Sequence, residues 1–178
     1  MYGEAFEKKL EKQESRYPED RKRANLMAAL HAVQDEVGHV PEDAIHWLAE
    51  RYGISSADVQ GVIRFYTMFF EDKPGEHVIW VCRTFSCELM GGAKVMAAME
   101  KALGCKVGES DPTGTFGLRW QECLAACDKA PCALIDKDMY ECLTPETVEL
   151  VLEHVKNGGG GARVEGEKLV PLREGAVR

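Results

Sequence analysis

Two pairs of cysteines constrain this chain more than any other feature. Four residues separate Cys82 from Cys87, and three separate Cys123 from Cys127. Each pair begins where an apolar run ends: "HVIWVC" (His77 to Cys82) and "TFGLRWQEC" (Thr115 to Cys123). Both runs are rich in β-branched and aromatic residues, the signature of strands. If the two strands are parallel neighbours, both pairs emerge at one carboxyl edge, where open α/β sheets bind their ligands. Parallel neighbours need a crossover. Residues 90–103 ("MGGAKVMAAMEKAL"), stopped by Gly104, supply a helix for it.

The rest of the pattern fits around that unit. "CALID" and "MYECL" flank "DKD" and read as a hairpin, and "TPETVELVLEHVKNG" is a closing helix with Thr144 as N-cap and Pro145 at its first position. The order β-α-β-β-β-α is that of an α/β sandwich of the thioredoxin-like kind, a central mixed sheet flanked by helices. Residues 1–72 carry helical patterns only. Glu4 to Arg16 has a thin apolar stripe. A second helix opens near Pro18, places Met27, Leu30, Val33 and Val37 on one face, and stops at Gly38. A third runs from Pro41 with Ile45, Leu48 and Tyr52 on one face to Gly53. A fourth opens with Ser55 and Asp58 in capping-box spacing and presents Val59, Val62, Ile63 and Tyr66. Three regions are expected: an N-terminal helical bundle over 1–72, the α/β domain over 76–156, and a Gly-rich linker with a flexible tail over 157–178.

Several functions are disfavoured. The net charge of −8 argues against nucleic acid, and the densest basic patch, "DRKRA", is short. "RYGISSADVQGVIRFY" has a helix-turn-helix outline, which any helical bundle can produce. No apolar run approaches the roughly 20 residues of a membrane span, and the charged N-terminus has no export signal. The expected location is cytoplasmic, with contact to the inner face of a membrane only through partners. There is no G-x-G-x-x-G after a strand and no phosphate loop, so no substrate site is evident. The five histidines are scattered.

Seven cysteines in a chain expected to stay in a reducing compartment point to metal or redox chemistry. Zinc sites favour C-x2-C knuckles, whereas C-x4-C occurs around [2Fe–2S] clusters. The spacings favour [2Fe–2S] and leave open a zinc-stabilised interaction module and a thiol–disulfide oxidoreductase. Cys132 repeats the x4 spacing from Cys127, but Pro131 and the apolar run after it place it in the core as a small hydrophobe. Cys105 and Cys142 stand alone. The glycines at 91 and 92 would let a helix N-terminus approach a cluster, and bulk there is expected to lower its potential.

The stretches "CRTFSCELMGGAKVMAAMEKALG", "QECLAACDKAPCALID" and "YECLTPE", with "GVIRFYTMF" and "GHVP" upstream, resemble the small iron–sulfur E subunit of NADH:quinone oxidoreductase (respiratory complex I) over about Tyr17 to Lys156. That family of thioredoxin-like [2Fe–2S] ferredoxins includes diaphorase subunits of NAD-reducing hydrogenases and some formate dehydrogenases. The resemblance implies that Cys82, Cys87, Cys123 and Cys127 ligate one [2Fe–2S] cluster. It implies an electron-transfer subunit docked on a flavin-bearing, NADH-oxidising subunit, with FMN and NADH confined to that partner and other iron–sulfur subunits nearby. Ala125 departs from the glycine that the family often has there.

Overall fold

The computed structural model describes residues 3–172. The chain divides into two units, Met1–Lys73 and Pro74–Arg178.

The first unit is helical: α1 (Glu4–Glu14), α2 (Leu26–Val37), α3 (Glu42–Tyr52) and α4 (Ser56–Phe65). Its core takes Phe6 and Leu10 from α1, Leu30 and Val33 from α2, Ile45 and Leu48 from α3, and Val59 and Ile63 from α4. Ser55 caps α4 as its spacing predicts: the Asp58 amide donates to Ser55 Oγ at 3.1 Å and the Asp58 carboxylate accepts the Ser55 amide at 3.2 Å. Two expectations change. The α-helical part of the second helix begins only at Leu26. A 3-10 segment over Glu19–Asn25 precedes it, kinked at Arg21, because the charged "DRKR" stretch has no apolar side chain to bury. Val37, expected on the apolar face, is exposed in the last turn.

Arg51 ties α3 to α1. Its Nε and second amino group donate to the Glu14 carboxylate at 2.7 and 3.0 Å, and its first donates to Glu7 at 2.9 Å. The Arg51 hydrogen bonds hold the Glu14 carboxyl below the usual carboxylate range, against the opposing effect of burial. A carboxyl depressed in the folded state stabilises fully above its unfolded value and loses that contribution as pH falls through the folded one. The wild type should therefore lose more stability to urea between pH 6 and pH 3 than Glu14→Gln does. A variant with the same acid dependence as the wild type would rule this out.

The second unit is built on a six-stranded sheet ordered β2-β1-β3-β4-β5-β6. β1 (His77–Cys82) and β2 (Phe116–Gln121) pair in parallel, in register from His77 opposite Phe116 to Cys82 opposite Gln121. β1 also pairs antiparallel with β3 (Ala133–Ile135), which forms a hairpin with β4 (Asp138–Glu141) around Asp136 and Lys137. Asp136 takes a left-handed φ of 55° at this turn. Its carboxylate accepts the Val78 amide at 2.9 Å. A short α5 (Phe85–Leu89) and then α6 (Gly92–Leu103) link β1 to β2, and α7 (Val148–Lys156) follows the hairpin. Alternation along the strands sorts the sheet into two faces. Ile79, Val81, Phe116, Leu118, Ile135 and Tyr140 face the main core with the apolar sides of α6 and α7. Cys82, Cys132 and Met139 belong to a second, smaller apolar cluster.

The chain beyond α7 departs from what its composition predicts. Its composition predicts a flexible tail over residues 157–178. Instead β5 (Ala162–Glu165) pairs parallel to β4, and β6 (Lys168–Pro171) pairs antiparallel to β5. The glycine run serves as a turn: Gly159 accepts a hydrogen bond from the Tyr140 hydroxyl at 3.1 Å, and a Cβ at Gly161 would meet the Met139 backbone at 2.8 Å. The two strands cover the open edge of β4, which would otherwise present unpaired amides and carbonyls. The rest of the expected tail, 173–178, lies outside the described residues. Among the described residues no helix is long and apolar enough to cross a membrane.

Candidate metal centre

The parallel pairing of β1 and β2 delivers both cysteine pairs to one end of the sheet. Two further contacts hold their starting points together: the Arg83 amide donates to the Gln121 carbonyl at 3.0 Å, and the Arg83 guanidinium donates to the Glu122 carboxylate at 2.6 and 2.9 Å. Arg83 follows the first ligand candidate and Glu122 precedes the third, so this ion pair fixes the roots of both loops.

The first pair is buried. Cys82 ends β1 and Cys87 sits within α5, each 2% exposed. Cys82 Sγ lies 3.2 Å from Thr84 Oγ1. Burial raises the Cys82 thiol, but hydrogen bonds from the Thr84 side chain and backbone, the Leu124 backbone and Cys87 outweigh it and hold the thiol below its ordinary value. Burial and the adjoining Cys82 push the Cys87 thiol up.

The second pair is exposed and lies on the loop after β2. Cys123 and Cys127 stand 3.7 Å apart, sulfur to sulfur, too far for a disulfide. The Ala125 amide donates to Cys123 Sγ at 3.3 Å. Proximity to Cys123 pushes the Cys127 thiol up, offset in part by a hydrogen bond from Ser86. The Leu124 backbone reaches Cys82 and the Ser86 side chain reaches Cys127, so the two loops interleave.

Ala125 adopts a left-handed φ of 61°. That conformation costs a residue with a Cβ about 1–2 kcal/mol. Ala125→Gly should therefore raise stability, by up to about 1 kcal/mol after the entropy that glycine loses on folding. Chemical denaturation showing a less stable variant would contradict this.

Gly92, the first residue of α6, is the point of closest approach. A Cβ there would lie 2.9 Å from the Cys87 carbonyl oxygen and 3.1 Å from that of Cys82. Only a glycine lets α6 press on the backbone of both cysteines. Gly91 differs: a Cβ there would make only an ordinary contact with the Lys94 side chain at 3.9 Å, but its φ is 98°.

The structure brings a further cysteine to the site, one that Pro131 and the apolar run after it assign to the core. Cys132, 1% exposed, places its sulfur 3.7 Å from that of Cys87, and the sulfurs of Cys82, Cys87 and Cys132 all lie within 4.8 Å of one another. Cys132 also belongs to the small apolar cluster with Leu134, Ala126 and Ala130. The sequence carries one signal of this, the repeated x4 spacing from Cys127. Cys105 is buried in the main core, and Cys142 is half-buried at a φ of 55°. All seven cysteines are free thiols.

The donor set suits a cluster larger than a single ion. Three mutually close sulfurs can surround one ion, whereas a [2Fe–2S] rhomb needs a thiolate pair at each of two irons. The two loops offer two pairs, with amide and hydroxyl donors already directed at Cys123 and Cys82.

Comparison with known proteins gives the same chemistry. The family model for thioredoxin-like [2Fe-2S] ferredoxins matches residues 10–156. The NADH-quinone oxidoreductase E subunit of Escherichia coli is 41% identical over 134 residues, 75% of this chain and 81% of that protein. Its counterpart of the same name in Salmonella typhimurium is 38% identical over 152 residues, 85% of this chain and 91% of that protein. A crystal structure of an NAD+-reducing [NiFe]-hydrogenase shares the fold with a TM-score of 0.64 at 20% identity, over 75% of this chain and 23% of that one.

Proposed function

Because the chain belongs to the thioredoxin-like [2Fe-2S] ferredoxin family, we propose that Cys82, Cys87, Cys123 and Cys127 hold one [2Fe–2S] cluster. The protein is then the electron-transfer E subunit of an NADH-quinone oxidoreductase. The observation that carries this reading is the β1–β2 register, which ends at Cys82 opposite Gln121 and so gathers both pairs at one edge. When bound, the cluster supplies a one-electron redox centre. The chain's own residues do the rest. Burial around Cys82 and Cys87 excludes water from one side, while Cys123 and Cys127 remain exposed on the other. Amide and hydroxyl donors at Ala125 and Thr84 stabilise negative charge on the sulfurs.

NADH and FMN belong to a partner subunit, since hydride chemistry needs a flavin or nicotinamide site and this chain carries no dinucleotide fingerprint. Exposed apolar side chains that such a partner would cover flank the buried Cys87 along the chain. Phe85, Leu89 and Met90, on and just after the helix that bears Cys87, are 79%, 70% and 64% exposed. Contact with a membrane would come through that complex. A diaphorase role in an NAD-linked hydrogenase is the second reading; the shared fold at 20% identity favours it less than 41% identity favours the quinone-reducing complex.

The test combines the purified chain with its NADH-oxidising flavoprotein. NADH should reduce the cluster only when both are present, as read by EPR. Phe85→Asp with Leu89→Asp should weaken the association at least ~10-fold, since each side chain would otherwise bury about 1.5–3 kcal/mol of apolar contact. Reduction by NADH without the partner, or an unchanged Kd in the double variant, would count against the reading.

A further inference from the structure

We propose that Cys132, outside the four-cysteine set, is a positioning residue for the cluster: its thiol donates a hydrogen bond to the ligand sulfur of Cys87. The inference rests on the ligand assignment above. Cys132 Sγ stands 3.7 Å from Cys87 Sγ, within the reach of a sulfur hydrogen bond, and within 4.8 Å of Cys82 Sγ. The position is fixed by the backbone as well, since the Cys82 amide donates to the Cys132 carbonyl at 3.1 Å. Cys132 is 1% exposed and packs with Leu134, Met139, Ala126 and Ala130, so its S–H has sulfur rather than water to face.

The direction of donation follows from the chemistry. A ligating cysteine is a thiolate and has no proton to give, whereas a fifth, unligated thiol keeps its own. The pair Cys87–Cys132 then has one donor, Cys132, and one acceptor, Cys87. A donor at a ligand sulfur draws negative charge from it and favours the reduced state, so its presence raises the potential.

The test is an EPR-monitored redox titration of the isolated chain, after iron and sulfide have been measured in the wild type. Cys132→Ala removes the donor, Cys132→Val removes it while filling the apolar niche, and Cys132→Ser restores a donor. The alanine and valine variants should keep the iron and sulfide content of the wild type and titrate at lower potential, with serine shifted less than either. In D2O, pulsed EPR of the wild type should show one exchangeable-proton coupling, beyond those of the Ala125 amide and the Thr84 hydroxyl, that is missing in Cys132→Val. An unchanged potential in the valine variant, or the same set of exchangeable couplings there as in the wild type, overturns the proposal. A folded Cys132→Val that has lost its iron overturns it too, and makes Cys132 a ligand. A wild type without iron and sulfide would fail at the first measurement, which marks it as a failure of the ligand assignment itself.

Discussion

Replacing Cys123 with alanine is expected to abolish the visible absorption and the EPR signal of the reduced protein, with the fold retained. The same complete loss is expected for Cys82, Cys87 and Cys127. Each iron of a [2Fe–2S] centre takes two cysteine thiolates, and on the proposed assignment each loop supplies one pair. Cys105 and Cys142 provide the internal control. Cys105 is buried among the main-core residues and Cys142 packs beside them. Alanine at either should leave the absorption intact and cost only stability. Circular dichroism separates the two effects: loss of colour with unchanged secondary structure marks a ligand. Cys123 and Cys127 are the sharpest sites for this comparison, because both are exposed and contribute little to the core.

Gly92→Val is expected to destabilise the second unit by about 1–3 kcal/mol, the range for forcing extra carbon into a packed site, and to lower the yield of cluster-loaded protein. The added Cβ would meet backbone atoms rather than a flexible side chain, 2.9 Å from the Cys87 carbonyl oxygen. Relief requires α6 to move away, and that withdraws the support beneath both cysteines of the first pair. Gly91→Ala separates crowding from strain. Its methyl would meet only the Lys94 side chain, in ordinary contact at 3.9 Å, at a φ of 98°, so it should cost about 1–2 kcal/mol of backbone strain without moving Cys82 or Cys87. Urea denaturation with iron quantitation distinguishes them. Wild-type stability and iron content in Gly92→Val would show that α6 does not brace the pair. The sequence points to both glycines for their effect on potential; the geometry makes Gly92 the residue in contact.

Much of the site can be read in the sequence because its information is local. The strand "HVIWVC" and the pairs after it depend on residues close together in the chain. The one long-range assumption is that β1 and β2 are parallel neighbours, and the pairing from His77 opposite Phe116 onward meets it. The helix caps are legible for the same reason: Gly38, Gly53 and Gly104 close their helices in the left-handed conformation. What escapes depends on distant partners. β5 is four residues long, too short for its alternation of Ala162 and Val164 to stand out, and it becomes a strand only because β4 offers an edge. The bridge from Arg51 to Glu7 and Glu14 joins helices that the sequence leaves unrelated. The apolar run after Cys132 places it among apolar residues, as found; the x4 spacing from Cys127 marks it out, but its contact with Cys87 follows from the long-range pairing of β3 with β1.

On the proposed assignment, two loops hold two irons and two sulfides. The most direct measurement is metal and acid-labile sulfide analysis of anaerobically purified wild-type protein, with EPR after reduction. One [2Fe–2S] cluster on these cysteines requires about two iron and two sulfide per chain, negligible zinc, and a rhombic signal from the reduced cluster. One zinc per chain with no sulfide and no signal would contradict it, and would assign the buried sulfurs of Cys82, Cys87 and Cys132 to a structural metal instead.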